Sequence, residues 1–269
     1  QKMGGKVFYS IADIESNLDN DMTYEQSFEY AVDNLADILT LGLDPNNAYI
    51  WLQSKEPIAK DMPFNAGKYV TANMMKAIYG DKPFGLYMAA LVQVGDILLP
   101  QLKEEVMPTV VPVGIDQDPH LRLVRDLARH FSRPSPENPD KEVPIFKPGA
   151  TYHKLMPALD DISKKMSKSR PQSYFNLDDE PKKIRKKIMR AFTGGRKNRE
   201  MQEKLGGQPH KCMIYKILEY HFQPDDEKLF DRKQRCLNGM LCGTCKKECA
   251  QIVLDYVKEH NEKKKNMIP

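Results

Sequence analysis

Three short apolar runs rich in strand formers, at residues 6–13, 48–52 and 110–113, are each followed by a stretch of helical periodicity. Alternation of this kind needs crossover connections, and crossovers place strands parallel. The chain is therefore expected to open as an α/β fold with a parallel sheet, its ligands bound beyond the carboxyl ends of the strands. Asp13 and Glu15 follow the first run, and Asp116, Gln117 and Asp118 follow the third, so these polar groups should meet in one crevice. Thr23 and Gln26 form a capping box that starts a helix. Its apolar stripe is Phe28, Val32, Leu35 and Leu39, and Gly42 stops it. Helical patterns follow over 65–79 and 84–98. Asp118-Pro119 is expected to cap a further helix with Leu121, Val124, Ala128 and Phe131 facing inward.

The pattern then changes. Residues 133–149 hold five prolines and read as a loop or insertion. From residue 177 onward everything reads as helix, over roughly 181–192, 198–205, 210–222, 224–238 and 243–264, with a fraying tail from Lys263. Asp178, Asp179 and Glu180 stand where a helix start favours acids. No internal repeat is visible. The expected division is an α/β part over 1–176 and a helical part over 177–269.

Charge divides the chain at nearly the same place. Residues 1–180 carry 19 Lys and Arg against 26 Asp and Glu, a net of −7, whereas residues 181–269 carry 22 against 11, a net of +11. Nine basic residues and no acidic one lie between Lys182 and Arg199. Such asymmetry points to a polyanionic partner. Lys182, Lys183, Lys186, Lys187 and Arg190 are the candidate phosphate contacts for a nucleic acid.

With 269 residues and 41% apolar content, the chain can bury a real core. Collagen, low-complexity disorder and a disulfide scaffold are excluded. The longest apolar stretch, residues 86–99, is interrupted by Gln93, Gly95 and Asp96, so no membrane is expected as a partner. No signal peptide opens the chain, and all five cysteines lie after residue 210, which points to an intracellular, cytoplasmic protein with free thiols or a metal site. Cys212, Cys236, Cys242 and Cys245 are spaced C-x23-C-x5-C-x2-C, with Cys249 one turn further on. The C-x2-C pair suits zinc or an iron–sulfur cluster. Buried thiols packed between helices are the alternative. The first residue is Gln1, and the chain is expected to start inside a longer protein.

The sharpest local signal is Lys165-Met166-Ser167-Lys168-Ser169. Two lysines around small hydroxyl residues on a loop make a mobile cationic arm, fit to neutralise a pyrophosphate leaving group.

With this KMSKS segment the chain resembles the class I aminoacyl-tRNA synthetases, and within them the archaeal and eukaryotic tryptophanyl branch. The resemblance is carried further by 111–120 (VPVGIDQDPH) with 121–128 (LRLVRDLA), by 94–98 (VGDIL) and 11–15 (IADIE), and by 191–196 (AFTGGR) and 205–207 (LGG). It covers essentially the whole chain. It implies a Rossmann-like parallel-sheet catalytic domain over 1–176, followed by an all-helical anticodon-binding domain over 177–269. The implied reaction activates L-tryptophan with ATP and Mg²⁺, then passes the aminoacyl group to tRNA(Trp). Lys165 and Lys168 would stabilise the leaving phosphates, with Met166, Ser167, Ser169 and Asp116 completing the ATP site; Asp116 could equally cap a helix. Gln93, Asp96 and Gln117 would be the acceptors for the indole N–H, and Glu15 would meet the ammonium or the indole. Asp118 falls to helix capping. A four-cysteine [4Fe–4S] site occurs in some members with similar spacing. A homodimer through the region 65–99 is implied as well.

Two features depart from the family pattern. Lys168 stands where close relatives often have a small residue. No histidine lies in an H-x-G-H context. The segment bearing that motif, with the adenine and ribose part of the ATP site, is expected outside these residues, and the chain alone is expected to be incomplete for catalysis. The sister tyrosyl enzyme and a non-catalytic tRNA-binding protein are the alternative readings. The AFTGGR, LGG and DQDPH elements favour tryptophan.

Overall fold

The computed structural model describes residues 1, 4–20 and 22–267, so the last two residues of the expected frayed tail lie outside the described residues. The chain divides into two compact units, Gln1–Lys154 and Leu155–Pro269.

In the first unit the described elements run β1 (Val7–Ile11), α1 (Asp13–Asn20), α2 (Tyr24–Thr40), β2 (Ala48–Leu52), α3 (Pro57–Lys60), α4 (Met62–Gly67), α5 (Ala72–Tyr79) and α6 (Phe84–Lys103). They continue with β3 (Val110–Gly114), α7 (Asp118–Ala128), β4 (Ser132–Pro134), β5 (Glu142–Pro144) and β6 (Gly149–His153). The strands pair as the alternation requires. β1 runs parallel to β2, with Val7 opposite Ala48 and Ile11 opposite Leu52. β3 runs parallel to β6, with Val110 opposite Gly149. The two pairs form separate two-stranded sheets. Inside the proline-rich insertion β4 and β5 make a short antiparallel ladder.

The core of this unit gathers on α6. Val94 and Leu98 meet Met62 and Ala66 of α4 and Leu123, Val124 and Leu127 of α7. α6 has the length and apolarity of a membrane span, yet most of it is buried within the unit, as a core helix would be. That burial removes most of the region 84–99 from any dimer surface; Phe64, Met74 and Phe84 remain exposed. The capping box at Thr23 forms in full, and Gly42 takes φ +104° just past the end of α2. The expected stripe of α2 is corrected. Phe28 and Val32 are exposed, Leu35 and Leu39 are half-buried, and the helix fully buries Ser27, Ala31 and Ala36. Small side chains let α2 lie close to its neighbours, so Phe28 and Val32, next to Ser27 and Ala31, turn outward.

The second unit opens with the antiparallel pair β7 (Pro157–Ala158) and β8 (Asp161–Lys165). Then come α8 (Pro181–Arg190), α9 (Arg199–Leu205), α10 (Met213–Ile217), α11 (Asp226–Leu237) and α12 (Cys242–Lys265). α10 continues through a π-helical turn, Leu218–Phe222. The five helices follow the five expected stretches. The compact unit nevertheless starts 22 residues before position 177, at Leu155. The reason is packing. Leu159 is buried in one cluster with Ile184, Ile188, Ile214 and Val253, while Met166, Phe175 and Leu177 pack against it. Each such aliphatic side chain contributes roughly 1.5–3 kcal/mol on burial. That ties the KMSKS segment to the helices by its apolar residues.

Candidate functional site

The first unit places its polar residues at the carboxyl ends of its parallel strands. Asp13 begins α1 just past β1 and is buried. It accepts the backbone N–H of Ser54 at 3.1 Å and the Ser54 hydroxyl, which ties the end of β1 to the end of β2. Beside it lies a cavity of about 280 Å³ whose wall brings together Glu15 from α1, Gln93 from α6 and Gln117 after β3. The Nε2 of Gln93 lies 3.5 Å from Oε1 of Gln117. Leu86, Ala89 and Ala90 make an apolar side. Tyr79, Lys82 and His120 complete the lining. The Tyr79 hydroxyl and Nδ1 of His120 are 3.0 Å apart, and burial pushes the Tyr79 phenol up to about 12, so it stays neutral. An acidic group, two amides and an apolar face in a space this small suit an ammonium-bearing ligand with an apolar side chain.

Asp96, the fourth expected substrate residue, does not line this cavity. Its carboxylate is already engaged. Oδ1 accepts the Ser10 hydroxyl at 2.8 Å and the indole N–H of Trp51 at 2.9 Å, and Oδ2 accepts Nε2 of Gln53 at 2.5 Å. Burial pushes Asp96 up to about 6 even so, against the pull of these three donors. Gln53 is fully buried, and its Nε2 also donates to Oε1 of Glu15 at 2.7 Å. Asp96 is thus linked to the cavity wall through one side chain.

Asp116 is exposed in the turn after β3. Asp118 does not cap α7 with its side chain; it is the first helical residue and accepts the Tyr152 hydroxyl at 2.7 Å and Nε of Arg122 at 2.6 Å. The Tyr152 hydrogen bond, with Arg122 beside it, holds Asp118 below the usual carboxylate range.

In the second unit the KMSKS segment leaves the end of β8. Lys165 and Lys168 are exposed, as is Ser169. The loop is held from beneath by Ser173, which is fully buried: its hydroxyl accepts the Ser167 N–H at 3.0 Å and donates to the Arg170 carbonyl at 2.6 Å. The hydroxyls of Ser167 and Ser169 lie 2.9 Å apart. The Met166 side chain is half-buried and packs against the helical core, which anchors the loop. The result is a pinned loop that offers two cations and the Ser169 side chain to solvent.

Of the five candidate phosphate contacts, Lys182, Lys183, Lys186 and Arg190 are exposed on α8. Lys187 is not. It is buried, 3.4 Å from Asp179 and with its ammonium 5.2 Å from the centroid of the Tyr174 ring, so it is a packing residue of the helix start. Nearby, the glycine pairs of AFTGGR and LGG lock together. The Gln208 N–H donates to the Gly194 carbonyl at 2.8 Å, and Nε of Arg196 to the Gly206 carbonyl at 2.7 Å. A Cβ on Gly194 would stand 2.0 Å from the Gln208 carbonyl oxygen. One on Gly206, at φ +66°, would stand 1.8 Å from that of Leu237. This junction borders a cavity of about 630 Å³ carrying Arg196, His210, Lys216 and Lys233 around Tyr215.

The cysteines lie behind the same junction. The Cys236 thiol is pushed up to about 11 by burial and by the neighbouring Cys212, Cys245 and Cys242, and Cys249 to about 12 by burial. Nη1 of Arg232 lies 3.6 Å from the Cys245 sulfur. Four soft thiols are the right chemistry for zinc or a cluster. They do not fit one as they stand, because among the described residues no three Cys, His, Asp or Glu side chains converge closely enough to hold a metal ion. Burial raises Cys236, Cys245 and Cys249 above the ordinary thiol range, which favours their protonated form.

Sequence reasoning missed Gln53, Ser10, Trp51, Tyr79, Lys82 and His120. Gln53 could have been found, since it directly follows β2 as Asp13 follows β1. Tyr79 and Lys82 carry no local signal.

The family model for class I tRNA synthetases (W and Y) matches residues 1–258. The tryptophan–tRNA ligase of Methanocaldococcus jannaschii is 40% identical over 273 residues, covering 98% of this chain and 71% of that protein. That of Aeropyrum pernix is 40% identical over 269 residues, covering 98% and 69%. The crystal structure of the tryptophanyl-tRNA synthetase from Aeropyrum pernix superposes with a TM-score of 0.88 at 40% identity, covering 99% of this chain and 71% of that one. With parallel strand pairs, a pinned KMSKS loop and a helical second unit already in place, these matches make the chain a member of the class I tRNA synthetases of the tryptophan and tyrosine kind.

Proposed function

We propose that this chain is a tryptophan–tRNA ligase, activating L-tryptophan with ATP to the adenylate and transferring it to tRNA(Trp). The observation that carries the reading is the 280 Å³ cavity in which Glu15, Gln93 and Gln117 meet beside an apolar face. Glu15 receives the substrate ammonium. Gln93 and Gln117 offer amide oxygens to the indole N–H, which is a donor only. A site built around that donor rejects amino acids that leave its acceptor unpaired, by up to roughly 10⁴–10⁵.

Activation is attack of the tryptophan carboxylate on the α-phosphate with departure of pyrophosphate. The protein supplies position and charge, not a covalent nucleophile. Lys165 and Lys168 would supply positive charge to the β- and γ-phosphates as negative charge grows there. Mg²⁺ shields the phosphates when bound with ATP. Lys182, Lys183, Lys186 and Arg190 contact the tRNA backbone. The larger cavity, with three cationic side chains, His210 and a tyrosine, suits an unstacked base. A homodimer and a cytoplasmic location complete the reading.

The metal part rests on donor chemistry alone. Metal analysis of protein prepared without oxygen tests it: stoichiometric zinc or iron supports a site drawn together from Cys212, Cys236, Cys242 and Cys245, and neither metal leaves them core thiols. Sedimentation tests the dimer. The test of the function itself is exchange of pyrophosphate into ATP by the full-length protein. Dependence on tryptophan supports the reading, dependence on tyrosine moves it to the sister enzyme, and no dependence on either overturns it.

A further inference from the structure

Trp51 is the only tryptophan in the chain, and it is buried in β2. Its indole N–H and the Ser10 hydroxyl both donate to Oδ1 of Asp96, at 2.9 and 2.8 Å. A carboxylate held by two donors on one oxygen cannot turn without giving one up. Its other oxygen is thereby aimed at Nε2 of Gln53, 2.5 Å away. That nitrogen also donates to Oε1 of Glu15 at 2.7 Å, while the Gln53 carbonyl oxygen accepts the Glu15 backbone N–H at 3.3 Å. The amide of Gln53 can face only one way. Flipping it would set its oxygen against two carboxylates and its NH₂ against the N–H of Glu15. A continuous run of donors and acceptors therefore leads from Trp51, through Asp96 and Gln53, to Glu15 on the cavity wall.

We propose that Trp51 is a positioning residue for the amino-acid site: through Asp96 and Gln53, its indole N–H holds Glu15 in the orientation that receives the substrate ammonium. This rests on the cavity being the tryptophan site. Trp51 does not line the cavity, so it acts only through the others.

The arrangement works while Asp96 is ionised. The groups facing it are Ser10 of β1, Trp51 of β2, Gln53 beyond β2, and Asp13 of α1, whose charge opposes ionisation. A protonated Asp96 presents a hydrogen where Gln53 needs an acceptor, and Glu15 is released. Removing the Trp51 donor takes away one of three bonds that favour the charged form, a shift on the order of one pH unit.

Two measurements on the full chain test this. In the first, the emission of Trp51 is followed from pH 5 to 8 without ligand. A transition near pH 6, lost in Asp96→Asn, is expected. Flat emission overturns the proposal and leaves the reading of the cavity standing. In the second, L-tryptophan affinity is measured by calorimetry for wild type and Trp51→Phe, which keeps a ring and loses the donor. The variant should bind more weakly than wild type at both pH values, and the loss should be about fivefold larger at pH 6 than at pH 8, following the one-unit shift. Equal weakening at every pH is the mark of lost packing and overturns the proposal. Should Trp51→Phe fail to fold, the emission titration decides alone. A wild type that binds no tryptophan at any pH overturns the reading of the cavity and the proposal with it.

Discussion

Arg196 donates its Nε hydrogen to the carbonyl of Gly206 at 2.7 Å, joining the loop after α8 to the end of α9. The bond is possible because Gly206 turns at φ +66° with its α-carbon against the backbone of Leu237. Gly206→Ala should therefore destabilise the helical unit by roughly 2–4 kcal/mol, through strain and overlap together. Arg196→Ala should cost only about 1 kcal/mol. Thermal unfolding followed by circular dichroism compares the two. Equal small effects would mean that the junction gives way easily.

Lys165→Ala and Lys168→Ala should each lower the rate of adenylate formation by roughly 10²-fold, with tryptophan KM changed little. Their hold on the phosphates strengthens as pyrophosphate departs, so the loss belongs to the transition state. Single-turnover kinetics separate the two quantities. Unchanged rates in both variants would remove this loop from the phosphates.

The exposed candidate cations of α8 and the buried Lys187 should behave differently. Lys186→Glu with Arg190→Glu should weaken all tRNAs alike and reduce the salt dependence by about one unit of slope for each phosphate no longer neutralised. Lys187→Ala should instead destabilise the unit by roughly 1 kcal/mol, because it removes the buried one of the two lysines on Asp179, which keeps Lys183 and the Asn176 N–H. Filter binding across a salt series and thermal unfolding read the two effects.

Asp96 gives the first unit a particular dependence on pH. Its folded value, about 6, lies above the unfolded one. Between about pH 4 and 6 the native state keeps a proton that the unfolded chain has lost. The stability from this group is complete below the unfolded value and is lost as the pH rises through 6. Urea unfolding of wild type and Asp96→Asn at a series of pH values isolates it. The wild type should lose stability relative to the variant as the pH rises from 4 to 7, and a constant difference would contradict the assignment.

Much of this was legible from residue patterns, and the failures have physical causes. The runs at β1, β2 and β3 announced themselves by apolar content. β6 did not, because Gly149, Thr151, Tyr152 and His153 are exposed and leave no apolar signature. The stripe of α2 was misjudged because small residues, not large ones, face inward. Glu15 and Gln117 could be named because strand ends and the family resemblance converge on them, and Gln93 from the resemblance alone. The pairing of Trp51 with Asp96 spans 45 residues and depends on side-chain direction across two elements, which no local spacing encodes. Lys187 looked like its neighbours in a basic run. Only the turn of the helix places it against Asp179 and Tyr174.

The central claim is that the cavity of Glu15, Gln93 and Gln117 selects tryptophan. Calorimetric titration at pH 8 with L-tryptophan and L-tyrosine, on wild type and on Gln117→Ala and Glu15→Gln, tests it most directly. Wild type should bind tryptophan and not tyrosine, and each variant should lose roughly tenfold or more in affinity, the worth of one hydrogen bond to a polar or charged group. Tryptophan binding left unchanged by both substitutions, or tyrosine bound as tightly as tryptophan, would contradict the account.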